Sequence, residues 1–236
     1  MKKRIEYKEE NIDPNEPLRL NKFLANAGVC SRREADQFIQ SGMVKVNGNV
    51  VTELGTKVLR SDEIIFHDQP VTLEKKVYVL INKPKDYVTT SDDPQQRKTV
   101  MDLVKGVCPE RIYPVGRLDR NTTGVLLLTN DGELANRLTH PSYEISKTYV
   151  ARLHGEVRPG VKRRLMAGIE LEDGPIAVDG FRVVDTYGDI TTVEIVVHEG
   201  RNRLVRRMMD AVGFPVRELV RTGFGPIRLD HLQPGT

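Results

Sequence analysis

The spacing of apolar residues changes at Gly42, and that change constrains the fold more than any other feature of the chain. Before it, Leu20, Phe23, Leu24 and Ala27 recur at helical intervals, with Gly28 placed to end the helix. Ser31-Arg32-Arg33-Glu34 then has the form of a capping box: Ser31 caps, Glu34 reaches back, and Ala35, Phe38 and Ile39 form the buried stripe of a second helix stopped by Gly42. After Gly42 the period becomes two. Val44 and Val46 alternate with polar residues into Asn47-Gly48, a strong hairpin signal, and Val50-Val51 forms the return strand. Val58 and Ile64-Ile65-Phe66 supply further short strands, so residues 18–66 read as one small unit of helices and strands.

A larger unit follows, spanning residues 77–232. Residues 77–84 read as a buried strand ending at Pro84, and residues 86–98 as a polar loop. Ile112-Tyr113-Pro114-Val115 leads into a motif at 116–124, the apolar run Val125-Leu126-Leu127-Leu128 and the turn signal Asn130-Asp131-Gly132. Residues 133–138 suit a short helix, and residues 149–153 and 192–197 alternate as strands do. Many strands with a few intercalated helices predict an α+β fold rather than regular βαβ winding. Residues 67–76 lack a clear period and contain Pro70, which suits a linker, and residues 1–17 are charged and aperiodic, which suits a flexible arm. At 236 residues, 39% of them hydrophobic, the chain can bury two cores.

Several function classes are disfavoured. Cys30 and Cys108 lie far apart and suggest neither a disulfide framework nor a zinc site. The five histidines (His67, His140, His154, His198, His231) have no ligand spacing, and neither a Walker loop nor a nucleophile elbow occurs. Gly223-Phe224-Gly225 is followed by Pro226 and reads as a turn, while Asp92-Asp93 and Glu172-Asp173 read as solvated loops. No metal and no cofactor is expected. No apolar run approaches the roughly 18 residues a membrane span needs, and residues 5–17 do not resemble a signal peptide. A soluble, cytoplasmic, monomeric protein is the expectation.

The chemistry concentrates in Gly-Arg-Leu-Asp-Arg-Asn-Thr-Thr-Gly at 116–124, where the single carboxylate Asp119 stands between Arg117 and Arg120, after one apolar segment and before another. Arg117 shares a face with Asp119 if the segment is extended. Leu204, Val205, Met208, Met209 and Val212 make a helical stripe that buries one face of a helix and presents arginines from the others. From residue 200 to 228, seven arginines (Arg201, Arg203, Arg206, Arg207, Arg217, Arg221, Arg228) face two acids, Asp210 and Glu218. Arginine at this density favours planar, bidentate phosphate contacts. Between residues 18 and 47, Arg19, Lys22, Arg32, Arg33 and Lys45 outnumber Glu34 and Asp36. Arg32 and Arg33 open their helix, where cations oppose the macrodipole and gain nothing for stability, so a phosphate partner would account for them.

The 116–124 run closely resembles the central motif of the pseudouridine synthases, in the branch that modifies ribosomal RNA. Arg19-Leu20, Phe23-Leu24, Ser31-Arg32-Arg33, Ala35, Ile39, Gly42, Val44 and Val46-Asn47-Gly48 resemble the S4 domain, an RNA-binding module. The resemblance implies a small RNA-binding domain followed by a catalytic domain built on a mixed, largely antiparallel sheet, and isomerisation of a uridine in ribosomal RNA with Asp119 as nucleophile. It leaves open whether Asp119 adds to the base, attacks the sugar or assists a deprotonation at the ribose. It further implies that Arg117 holds the displaced nucleotide and that Lys147-Thr148-Tyr149 presents Tyr149 to stack on the base, with late removal of the C5 proton as its second candidate role. Arg206 would pair with Asp119, and Lys147, Arg201, Arg203 and Arg207 would contact the RNA. Leu204 departs from the family pattern, in which many relatives carry glutamine. The run 199–203 and the S4-like unit point to large-subunit rather than small-subunit RNA. A non-catalytic RNA-binding or ribosome-assembly protein on the same scaffold is the competing expectation.

Overall fold

The computed structural model describes residue 13 and residues 15–235, so the arm expected at residues 1–17 lies mostly outside the described residues. Two compact units divide between Lys75 and Lys76. In the first, β1 (Leu18–Arg19) leads into α1 (Leu20–Asn26) and α2 (Arg32–Gln40). The capping box forms as the sequence predicts: the Glu34 amide donates to Ser31 Oγ at 3.3 Å, and the Ser31 amide to Glu34 Oε2 at 2.7 Å. β2 (Val44–Val46) and β3 (Asn49–Val51) are joined by Asn47 and Gly48, both at positive φ, as a tight hairpin with native twist requires. β4 (Lys57–Val58) pairs with β1, and β5 (Ile64–Phe66) with β2. Leu20, Phe23, Leu24, Ala35, Ile39, Val44 and Ile64 form the core.

The expected linker is corrected in its first half. His67 and Asp68, both at positive φ, turn the chain into β6 (Gln69–Pro70), which pairs with β5. Pro70 fits because β6 is an edge strand, where a missing amide donor goes unused. Val71 and Leu73 then pack against the same core, so the first unit runs on to Lys75.

The second unit is built, among the described residues, on an eight-stranded sheet with a separate two-stranded ribbon. In chain order its elements are β7 (Tyr78–Lys83), α3 (Val100–Leu103), β8 (Tyr113–Pro114), β9 (Thr123–Thr129), α4 (Gly132–Thr139), β10 (Lys147–His154) and α5 (Pro159–Ala167). They continue with β11 (Ile169–Leu171), β12 (Gly174–Ile176), β13 (Gly180–Tyr187), β14 (Ile190–Val197), α6 (Leu204–Ala211), β15 (Val216–Phe224) and β16 (Ile227–Arg228). The main sheet runs β13-β14-β10-β15-β9-β7, with β16 on β15 and β8 on β9, and β11 and β12 form the ribbon. Every neighbouring pair is antiparallel except β15 and β9, which run parallel. The mixed, largely antiparallel sheet is therefore the one that the family resemblance implies.

The parallel junction depends on one residue. Gly124 has φ +113, and a Cβ there would lie 2.2 Å from the Arg221 carbonyl oxygen and 2.6 Å from its amide nitrogen. Only glycine lets the two backbones approach this closely. Above it, α6 buries Leu204, Val205, Met208 and Met209 in a core shared with Ala151, Leu153, Val193 and Ile195 of β10 and β14. That packing sets Arg206 of α6 beside the turn before β9 that carries Asp119.

Candidate active site

A cleft of about 490 Å³ opens where β9, β10, β15 and α6 meet, and Asp119, Arg117, Lys147, Tyr149, His198, Arg203 and Arg221 are among its lining residues. Its size is that of an ordinary small-ligand site. Asp119 stands at the first position of a turn closed by the Thr122 amide donating to its carbonyl at 3.0 Å. Thr89 clasps the preceding residue from both sides: its hydroxyl donates to Leu118 O at 2.7 Å and accepts from the Leu118 amide at 3.2 Å. With Leu118 buried and so held, the next side chain is delivered to the cleft.

Beneath the turn lies a lysine that the sequence reading passed over. Lys83 ends β7 fully buried, and its Nζ donates to the carbonyls of Thr122 at 2.9 Å, Pro84 at 3.0 Å and Arg120 at 3.3 Å. Burial pushes its pKa down to about 8, while Asp119 and then Asp86 pull the other way. The turn therefore rests on a cation whose field reaches Asp119. A lysine in a strand otherwise written Val-Leu-Ile was the available signal.

Arg206 differs in detail from expectation. It faces Asp119 electrostatically, but among the described residues no direct ion pair joins them. Its Nη1 donates to Val216 O at 3.0 Å and its Nη2 to Asn121 O at 3.4 Å, while Nε is buried without a hydrogen-bond partner. Arg206 thus ties α6 to the Asp119 turn through the backbone of Asn121. Burial lowers its pKa, repulsion from Arg203 adds to that shift, and the attraction of Asp119 opposes it.

The other expected contacts divide. Arg117 and Arg203 are exposed on the cleft. Lys147 is spent on the protein, donating to His198 O at 2.5 Å and Ile145 O at 3.0 Å, with its pKa lowered by burial first and by Arg221 second. Arg207 forms a two-pronged pair with Asp173 at 2.9 and 2.8 Å and donates to Asn202 O at 2.9 Å. Arg201 binds Glu199 at 2.6 Å and the carbonyls of Gly174 and Pro175 at 2.9 and 2.8 Å. These two arginines fasten the turn between β11 and β12 to the start of α6, and Asp173 is held at about 2 as a result. Both expected RNA contacts therefore have carboxylate partners within the protein, and Arg201 also lines the cleft.

In the first unit, Lys45 pairs with Asp68 at 2.9 Å, and Arg32 donates to Asn21 Oδ1 at 3.4 Å. Lys22 is half-buried and engaged within the protein. Arg19 and Arg33 are exposed, and among the described residues no hydrogen bond or ion pair from their side chains occupies them.

Comparison with known proteins shows the family of each unit. The family model described as RNA pseudouridylate synthase matches residues 77–211, and the S4 domain model matches residues 18–64. The chain is 47% identical to the ribosomal large subunit pseudouridine synthase B of Bacillus subtilis, over 92% of this chain and 89% of that protein. It is 49% identical to an RNA pseudouridine synthase of Aquifex aeolicus, over 92% and 88% of the two chains. A crystal structure of a pseudouridylate synthase superposes with a TM-score of 0.66 at 32% identity, covering 93% of this chain and 94% of the other.

Proposed function

The chain belongs to the RNA pseudouridylate synthase family, and from that footing we propose that it converts a uridine of large-subunit ribosomal RNA to pseudouridine with Asp119 as the nucleophile. The observation that carries this reading is the placement of Asp119: a carboxylate on a braced turn, lining a cleft, with the cations Lys83 and Arg206 in electrostatic reach.

The reaction is an isomerisation. The C1′–N1 bond breaks, a C1′–C5 bond forms, the C5 proton leaves and N1 gains one, so no electrons are exchanged with a cofactor. A target base taken out of its RNA context would enter the cleft with Tyr149 as a stacking surface, while exposed Arg117 holds the backbone beside it. Asp119 acts from its carboxylate form. Lys83 and Arg206 supply positive charge without contacting the nucleotide, one from below the turn and one from α6.

The large-subunit assignment draws on the Bacillus subtilis relative, and the S4-like unit supplies exposed cations for a long RNA partner. Incubation of the purified protein with large- and small-subunit ribosomal RNA, followed by pseudouridine mapping, tests it. One modified position in the large-subunit RNA is expected, and none with Asp119→Asn, whose amide keeps the shape but not the nucleophile. Product from that variant would overturn the mechanism, and a modified position found only in small-subunit RNA would overturn the target. Binding without modification by the wild type would favour the non-catalytic alternative.

A further inference from the structure

The floor of the cleft holds a cation that the proposed chemistry does not use. Arg221 of β15 is 2% exposed. Its Nε donates to Val125 O at 3.0 Å, and its guanidinium carbon lies 4.7 Å from the centre of the Phe224 ring. Nη2 is buried and has no hydrogen-bond partner of ordinary geometry among the described residues. A buried guanidinium left partly unsatisfied is costly, and apolar residues would fill the same volume at lower cost. Its retention calls for a use.

The sheet register points to that use. Arg221 lies directly opposite Tyr149 in the antiparallel β10–β15 pair. Opposed residues project from the same face, with Cβ atoms about 5 Å apart. Both residues line the cleft with Asp119, and the Tyr149 hydroxyl interacts electrostatically with the guanidinium. The backbone beneath is fixed as well, because Arg221 is registered against Gly124 at the close parallel junction.

We propose that Arg221 is the positioning residue for Tyr149: anchored by Val125 and Phe224, its guanidinium holds the phenol oxygen and so sets the ring where the target base must stack. Nη2, otherwise unpartnered, is the donor available to that hydroxyl. This inference rests on the reading of Tyr149 as the residue that meets the base. It makes Arg221 an arginine of the site that never touches RNA.

The test is a double-mutant cycle read in single-turnover rates. Arg221→Met is expected to slow the chemical step by about 10-fold or more, while the RNA concentration giving half-maximal rate stays within about 2-fold. Arg221→Lys should recover part of the rate. In a Tyr149→Phe background, where the oxygen is gone, Arg221→Met should cost less than about 3-fold. An equal loss in both backgrounds, or no loss in the parent, overturns the proposal. Where Arg221→Met fails to fold, Arg221→Lys carries the same comparison, with a loss expected only when the Tyr149 hydroxyl is present. Tyr149→Ala alone checks the underlying reading separately, since an unimpaired rate there would remove Tyr149 from the site whatever Arg221 does.

Discussion

Lys83 shows how one buried charge links stability to pH. Its folded-state pKa of about 8 lies below its ordinary value of 10.5 because burial outweighs the attraction of Asp119 and Asp86. Below about pH 8 both folded and unfolded chains carry the proton, and the cost of the buried ammonium is fully present. Between about 8 and 10.5 the unfolded chain holds more protons than the folded one, so this group's contribution to stability rises with pH. Urea midpoints of wild type and Lys83→Met, compared at pH 7.5 and pH 10, should therefore move in favour of the wild type at the higher pH. A difference that does not change with pH would mean that Lys83 is not titrating in that window.

At the scale of elements, two joints hold the site together. The first is the β9–β15 contact at Gly124, where a side chain meets the Arg221 backbone and the φ of +113 is strained for any other residue. Gly124→Ala should cost about 2–6 kcal/mol of stability, the sum expected for overpacking and a strained backbone. Denaturant unfolding reads this directly, and a loss under about 1 kcal/mol would show that the strands part easily there. The second joint is the pair of arginines that bind Asp173 and Glu199. Arg207→Met should lower the melting temperature while leaving the affinity for ribosomal RNA nearly unchanged, because the guanidinium is already engaged by Asp173. A large drop in RNA affinity with an unchanged melting temperature would restore Arg207 as a phosphate ligand.

For the whole molecule, the net charge of +3 says little, and what matters is which cations remain available after folding. Arg19 and Arg33 in the S4-like unit do, as do Arg117 and Arg203 on the cleft. Replacing both Arg19 and Arg33 with glutamine should reduce the slope of log affinity against log salt by about 1.4 on single-stranded RNA, since each lost phosphate contact removes about 0.7. Filter-binding titrations over a range of salt concentrations would show it. An unchanged slope would mean that the RNA passes elsewhere on that unit.

The sequence alone determined the elements whose signals are local. The Ser31 capping box, the Asn47-Gly48 hairpin and the buried stripe of α6 are each written within about ten residues, and each forms as that pattern dictates, because caps, turns and helical faces are settled by neighbours in the chain. The family resemblance was also legible, being carried by short runs in a fixed order. Other elements were not: β6 hid behind Pro70, and α5 carries four apolar residues without a clean stripe. The fate of the charged side chains was decided only by the tertiary structure. Arg207 meets Asp173 across 34 residues, Arg206 reaches Asn121 across 85, and Arg221 bonds Val125 across 96. A long, flexible cation can serve RNA, another side chain or a buried carbonyl equally well. Which of these it meets depends on strand pairings that no local pattern encodes, and here the pairings gave two expected RNA ligands carboxylate partners and placed Lys83 and Arg221 beneath the site.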